Sequence, residues 1–502
     1  MADTMNFADS IRQVGTLAFG IAAALAIWGC GGGGGDSGSS SNDAAATSTQ
    51  AEIVALPPGT LEVLGRPIIR FGRNGDAFVA VEASNSSGTV RQVVAGRHST
   101  SSGWSDMAVV HPVASRGTDI GLQLAPSNSG SQFESAVISW TDGPPSYRIG
   151  VSSFSPRFGW QLPSFVSSTG IPSSKPLLTI SDHGISRLVW SQMPPDSPMQ
   201  IFSSTGSAGA IWTAPAVVWT GPVDFYGGPV SLVSRARNTD VSTVNASDVL
   251  LWTTREVRSD GDRKFLLAAS FESDASLGPA VIVDVRQDAA PSSPPIPGRE
   301  GPFYSHSVQA SLGASGVMHL LVGLRVSGLG ALHPFEAFGS LAHYVATLSR
   351  ELVPSQLTYL IHSSADTANG SGALASSPNG KAISVAAATV GGLGCCQGIN
   401  MMRTRDGGWP ASGTAVLDSN GNTIEGAGID ENGNAMFLVS RGNALHLGRI
   451  LATSNTTVWD QLSPEVAVKS SALAVEPTSG RLIVSYVVNN GQRDVLMARH
   501  FQ

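Results

Sequence analysis

The chain of 502 residues carries a formal net charge of −7, and only 13% of its residues are charged, about half the roughly 25% of a typical soluble domain. With 42% hydrophobic residues it holds enough apolar material for a sizeable core, which excludes wholesale disorder. It has no basic excess, which excludes a partner gripped through a phosphate backbone, so no nucleic acid is expected.

Val14 to Trp28 (VGTLAFGIAAALAIW) is an apolar run of 15 residues preceded by Arg12. A bilayer-spanning helix takes about 20 apolar residues, so this run has the length of the hydrophobic region of an export signal. It ends Ile27-Trp28-Gly29-Cys30, and Gly31 to Gly35 follow. An aliphatic residue, a small residue and then Cys resembles the lipobox of bacterial lipoproteins. That resemblance implies a signal peptide over residues 1–29, lipidation (palmitate among the acyl chains) at Cys30, and a membrane as partner through that anchor. Gly31, where the family's retention rule asks for Asp, implies sorting to the outer membrane, on its periplasmic face or at the cell surface. The plainer alternative is an ordinary cleaved signal. Residues 30–50, lipidated Cys and then a Gly/Ser-rich stretch, contain no aromatic and no large aliphatic side chain. Such a segment cannot offset the entropy of ordering and reads as a flexible tether. Gly33-x-Gly35-x-x-Gly38 matches a dinucleotide fingerprint in letters only, since no strand precedes it and no helix follows.

Residues 51–502 read as one repeated β unit. Short β-branched runs are separated by Gly, Asn, Asp, Ser and Pro, and six Asn-Gly pairs mark tight turns. An apolar strand recurs at 77–82, 136–140, 186–191, 248–253, 317–324, 382–388, 434–440 and 481–488. A second strand follows each, then in most units a third led by Trp104, Trp160, Trp212, Trp409 or Trp459, and a fourth before the next unit. Repetition at this period is the signature of a β-propeller. The expected fold is therefore all-β: a single propeller of eight four-stranded antiparallel blades, with seven as the alternative count. The last unit lacks one strand, and residues 52–64 are an orphan strand; pairing them beside 493–500 closes the ring. Asn432-Gly433-Asn434-Ala435, Val189-Trp190 and Gly159-Trp160 resemble the repeats of exported bacterial proteins with degenerate propeller units. The resemblance implies a fold and no particular chemistry.

Matched positions make most tryptophans packing residues between blades; Trp219 and Tyr304 fall outside the pattern and are candidate ligand contacts. Cys395 and Cys396 are adjacent and flanked by glycines, which fits a vicinal disulfide, with two free thiols as the alternative. The ten histidines show no metal-binding spacing, and no nucleophile or phosphate-cradling motif occurs. No metal and no cofactor is expected. Sialidases share the propeller shape, but Thr404-Arg405-Asp406-Gly407-Gly408-Trp409 departs from their Asp box and Arg66-Pro67-Ile68 from their R-I-P order. Loops 285–305 and 325–340 are the longest on the face that also carries the Cys395-Cys396 loop. Long loops on a rigid scaffold are where sites gather, so Arg286, Arg299, Glu300, Tyr304, Arg325, His333 and Glu336 are the candidate ligand-binding residues. The expected function is a non-catalytic binding or scaffold module for a protein or glycan. The alternative is a sialidase-like, glycan-active hydrolase or lyase, and two arginines converging with a carboxylate at the channel mouth would favour it.

Overall fold

A computed structural model describes Gln50 to Phe501 except residues 73–74, 114–120, 127–135, 143–146, 169, 172, 174–175, 182–183, 193–196, 208–210, 222–227, 235–247, 257–262, 288–302, 314–315, 328–340, 364–371, 389–397, 405–407, 412, 418–421, 455 and 464–466. Eight antiparallel sheets of four strand positions each follow one another along the chain, seven built from consecutive segments and the eighth completed by the N-terminal strand. Their innermost strands are Ile68–Phe71, Gln123–Pro126, Leu177–Ile180, Pro229–Ser234, Phe303–Leu312, Gly372–Ser376, Asn422–Ile429 and Val468–Val475. Each touches the next in that order, and the eighth touches the first. The fold is an eight-bladed β-propeller, which removes the seven-blade alternative. Among the described residues no helix is long and apolar enough to cross a membrane.

The second strand of each blade is the apolar run that repeats in the sequence, and its two faces explain why it is apolar throughout. In blade 1, Phe78 and Ala80 pack toward blade 2 with Ile138 and Trp140, while Val79 and Val81 pack toward blade 8 with Val487 and Leu496. Both faces are interior, so alternation of apolar and polar residues disappears, as in other strands buried on two sides. Every seam between neighbouring blades has an apolar cluster of this kind. Trp140, Trp190 and Trp252 are fully buried, each in the seam with the preceding blade. A Cβ at Gly150 would stand 2.4 Å from the Trp140 ring, so glycine there is what admits the indole.

Among the described residues, six blades join the innermost and second strands by a recurring turn, in which the N–H of Gly72, Ser181, Gly313, Ser377, Asp430 or Glu476 bonds the carbonyl that ends the turn. The penultimate residue is always glycine, at φ between +72° and +91°. Asn379 and Asn432, which precede two of these glycines, keep negative φ, so these are not turns with two left-handed residues.

Two sequence expectations are corrected. The strand counted as fourth in each unit is the innermost strand of the following blade. The orphan segment 52–64 does not act as one strand. Glu52 and Ile53 pair Ala498 and Met497, and the Val54 N–H bonds the Leu496 carbonyl, which completes blade 8. Thr60–Val63 instead pairs the second strand of blade 1. Pro57 and Pro58 intervene, and residues without a backbone N–H end a ladder.

Candidate functional site

The central channel is lined by innermost strands, and in blade 1 that strand is interrupted. Leu64 and Gly65 both donate to the Glu82 carbonyl, at 2.8 and 3.3 Å, and Pro67 has no N–H to offer. The interruption lifts Arg66 out of the ladder, which is what bulges do to a side chain. In blade 7 the register skips between Ile424 and Gly426, which releases Glu425 likewise. The two meet across blade 8: Arg66 Nε donates to the Ser471 carbonyl at 2.8 Å, and its terminal nitrogen bonds the Glu425 carbonyl and lies 3.4 Å from Glu425 Oε2. Ser440 Oγ donates to Glu425 Oε1 at 3.0 Å and fixes that carboxylate. Arg66 keeps 53% of its side-chain surface open to solvent.

Four residues onward, Arg70 is also exposed. Its Nη1 donates to the Ile69 carbonyl at 2.9 Å, and among the described residues it has no carboxylate within ion-pair reach. Desolvation by the enclosing ring and then the charge of Arg66 hold its pKa below the usual arginine value. It stays protonated all the same. The channel therefore holds two neighbouring guanidinium groups, one shared with Glu425 and the other without a counter-charge among the described residues. Such a pair presents forked donors that match a carboxylate or sulfate.

Several other carboxylates on the described residues serve neighbouring strands. Arg97 binds Asp76 at 2.6 Å, Arg148 binds Asp142 at 3.0 Å, and Arg449 binds Asp460 at 2.8 Å. Burial pushes Asp142 up, but hydrogen bonds from His111 and Arg148 outweigh it and hold the carboxyl below its ordinary value. Burial raises the Asp248 pKa, and that carboxyl is sealed against Arg187 in the seam of blades 3 and 4. A separate cavity of about 220 Å³ lies in blade 7 and is lined by Val439, Arg441, His446 and Trp459. Burial, then the charge of Arg441, lowers the His446 pKa.

Of the residues singled out in the sequence, Arg286 is placed in full. It lies on the outermost strand of blade 4, donates to Asp284 Oδ2 at 3.0 Å, and sits 5.9 Å from the Tyr344 ring of blade 5. It is a rim residue, remote in role from the channel pair. Tyr304 and Arg325 belong to paired strands of blade 5, opposite Val326 and Ser305; their side chains lie outside the described residues. Arg299, Glu300, His333, Glu336, Cys395, Cys396 and Cys30 also lie outside them. Trp219 is half-buried, with its ring 6.0 Å from that of Trp252, and packs the seam of blades 3 and 4. Arg66 and Arg70 were missed, although Gly65-Arg66-Pro67 carried a signal, since Gly and Pro flanking one residue of a strand mark a bulge.

No protein-family model and no curated protein matches the chain. Solved structures do. A puromycin hydrolase matches with TM-score 0.46 and 11% identity over 87% of this chain and 62% of its own, so this chain spans less than two thirds of that protein. The α-L-arabinofuranosidase of Fusarium graminearum matches with TM-score 0.37 and 12% identity over 90% and 97%. A polysaccharide lyase matches with TM-score 0.38 and 8% identity over 74% and 88%. Likeness this distant carries nothing about chemistry.

Proposed function

We propose that this chain is an exported, lipid-anchored propeller that binds an anionic group, presented by a glycan or a protein, at the arginines of its channel, and that it acts as a binding or scaffold module. The observation that carries the reading is the Arg66–Arg70 pair, in which the second guanidinium has no carboxylate partner among the described residues. A low-dielectric channel with an unbalanced positive charge concentrates anions. Binding asks for polar anchors in a recess. Glycoside hydrolysis by paired carboxylates asks in addition for two groups about 5–10 Å apart with separated pKa values.

The anchor follows from Ile27-Trp28-Gly29-Cys30 and the tether after it. Palmitate analogues should label the protein and not its Cys30→Ser variant, with the labelled form in the outer membrane. For the ligand, the detergent-solubilised protein should retain sialylated or uronate-containing oligosaccharides over neutral ones, and salt should weaken that retention. Arg70→Gln should reduce the binding about tenfold. A hydrolytic reading draws on the same site, because Arg66 holds Glu425 there, although Arg70 does not reach that carboxylate. Turnover of a sialoside or uronide that Glu425→Gln abolishes would replace the binding reading.

A further inference from the structure

The ring closes at a place where three potential metal ligands meet. Glu52 comes from the strand that completes blade 8, His500 from the strand it pairs with, and His98 from the third strand of blade 1. One ligand atom from each lies within 4.8 Å of the other two. His500 Nε2 and Glu52 Oε1 are 2.9 Å apart, and the rings of His98 and His500 have centroids 4.3 Å apart. Two ligands on one tetrahedral zinc ion at about 2.0–2.1 Å are about 3.4 Å from each other, so small side-chain rotations bring all three to bonding distance. The outer shell is also built. Trp104 Nε1 donates to Glu52 Oε1 at 2.9 Å and orients the carboxylate, and Trp104 packs edge-on to His98 with centroids 5.0 Å apart. Orientation of a ligating group by a second hydrogen bond is a regular feature of metal sites. Glu52 has 48% of its side chain exposed, which leaves an entry path for an ion.

We propose that Glu52, His98 and His500 bind one zinc ion that pins the closure of the propeller. Two imidazoles and a carboxylate form a ligand set suited to zinc and unsuited to the hard cations calcium and magnesium. His500 coordinates through Nε2 and carries its proton on Nδ1, so the hydrogen bond to Glu52 is exchanged for two bonds to the metal. The fourth position belongs to water. The ion would tie together segments 448 residues apart in sequence, Glu52 and His500, and fasten both to blade 1.

The test is a titration of the chelator-treated full chain with zinc chloride, read by calorimetry and by melting temperature. One zinc per chain is expected, with a melting temperature that rises with the logarithm of free zinc, and no rise with calcium or magnesium. Glu52→Gln and His98→Ala should each lose that rise while the variants, without zinc, still melt cooperatively; His446→Ala, in blade 7, should keep it. Cobalt in place of zinc should give visible bands of a four-coordinate site in the parent chain and not in the variants. Absence of stoichiometric zinc binding overturns the proposal. So does binding that both Glu52→Gln and His98→Ala retain. Should His98→Ala fail to fold, Glu52→Gln, which can still accept from Trp104, decides the matter by the same two readouts.

Discussion

Arg187 and Arg481 perform one task at two seams of the ring, one seam dry and the other wet. Arg187, in blade 3, reaches blade 4: its Nε donates to Asp248 Oδ2 at 2.6 Å and its guanidinium lies 3.9 Å from the centre of the Phe271 ring. Arg481, in blade 8, reaches blade 1: it donates to the Gly75 carbonyl at 3.0 Å and lies 5.8 Å from the Phe71 ring, while its Nε holds Glu476 at 2.7 Å. The side chains are 1% and 26% exposed, respectively. The carboxylates respond in opposite directions. Burial raises the Asp248 pKa even against Arg187, whereas hydrogen bonds from Arg481 and Ser479 overcome the burial of Glu476 and lower its pKa. A pair between consecutive blades can thus be sealed, because the chain passes directly from one blade to the next. At the closure only the bond from Arg481 to the Gly75 carbonyl joins the two ends of the domain, while its carboxylate partner Glu476 lies in the same turn, and the pair stays open to water.

The largest effect should come from the dry seam. Arg187→Met leaves Asp248 buried without its partner and should cost about 3–5 kcal/mol of stability, read by denaturant unfolding. Arg187→Met combined with Asp248→Leu should recover most of it, since no charge is then orphaned. The single variant should also recover as pH falls. A carboxyl whose folded pKa is raised contributes stability below its unfolded value and loses it as pH rises through the folded one. Recovery should therefore begin above the ordinary carboxylate range. A loss under about 1 kcal/mol would show that the seam is wetter than its burial indicates.

The next effect concerns histidine. His343, in the seam of blades 5 and 6, is buried, and burial pushes its pKa down to about 4. His98 at the closure is also lowered to about 4, by burial and then by His500. With folded values below the unfolded 6.5, the unfolded chain binds more protons between pH 6.5 and 4. Stability is full above that window and is lost as pH falls through it. His343→Leu should flatten the decline by up to about 3 kcal/mol between pH 7 and pH 4. An unchanged slope would mean that His343 is protonated within the folded ring.

The closure strand offers a smaller effect and a finer division. Val54 is 1% exposed and Ile53 is 64% exposed. Val54→Ala should cost about 2 kcal/mol and Ile53→Ala about 0.5 or less, by thermal or urea unfolding. Equal losses would mean that the strand is held by its ladder and not by the one side chain it buries.

These contrasts show what the sequence could and could not carry. The second strands were legible, since a strand buried on both faces is apolar at every position, as in Asp248–Glu256 with Val249, Leu250, Leu251 and Trp252 all buried. The repeat was legible for the same reason, and so were eight blades. The phase of the unit was not, because four strands in a ring read alike from any starting point. Closure was legible as a missing strand, but its length was misjudged across Pro57-Pro58. The channel site stayed hidden because Arg66 and Glu425 are displaced by bulges in two strands 359 residues apart, and register is a property of pairing. The glutamate and histidines at the closure had no spacing to betray them.

The smallest effect sharpens the opening comparison most. Arg481→Gln keeps a side chain that can still reach the Gly75 carbonyl and removes the charge from Glu476. The guanidinium is partly solvated, and pairs of this kind are worth about 1 kcal/mol or less, several-fold below the loss expected at Arg187. Salt should narrow the difference between Arg481→Gln and the parent, because water and ions reach this seam, and should leave the Arg187→Met difference unchanged. The pH dependence separates them further. Glu476 has a folded pKa below its unfolded 4.5, so its contribution is present above that value and is lost as pH falls through the folded one. The Arg481→Gln deficit should hold steady down to the ordinary carboxylate range and vanish only beneath it, where Glu476 is protonated with or without arginine. Arg187→Met should already be recovering at higher pH. Two deficits that fade over the same pH range and with the same salt sensitivity would mean that both seams are equally solvated, and the distinction between dry and wet closure would fall.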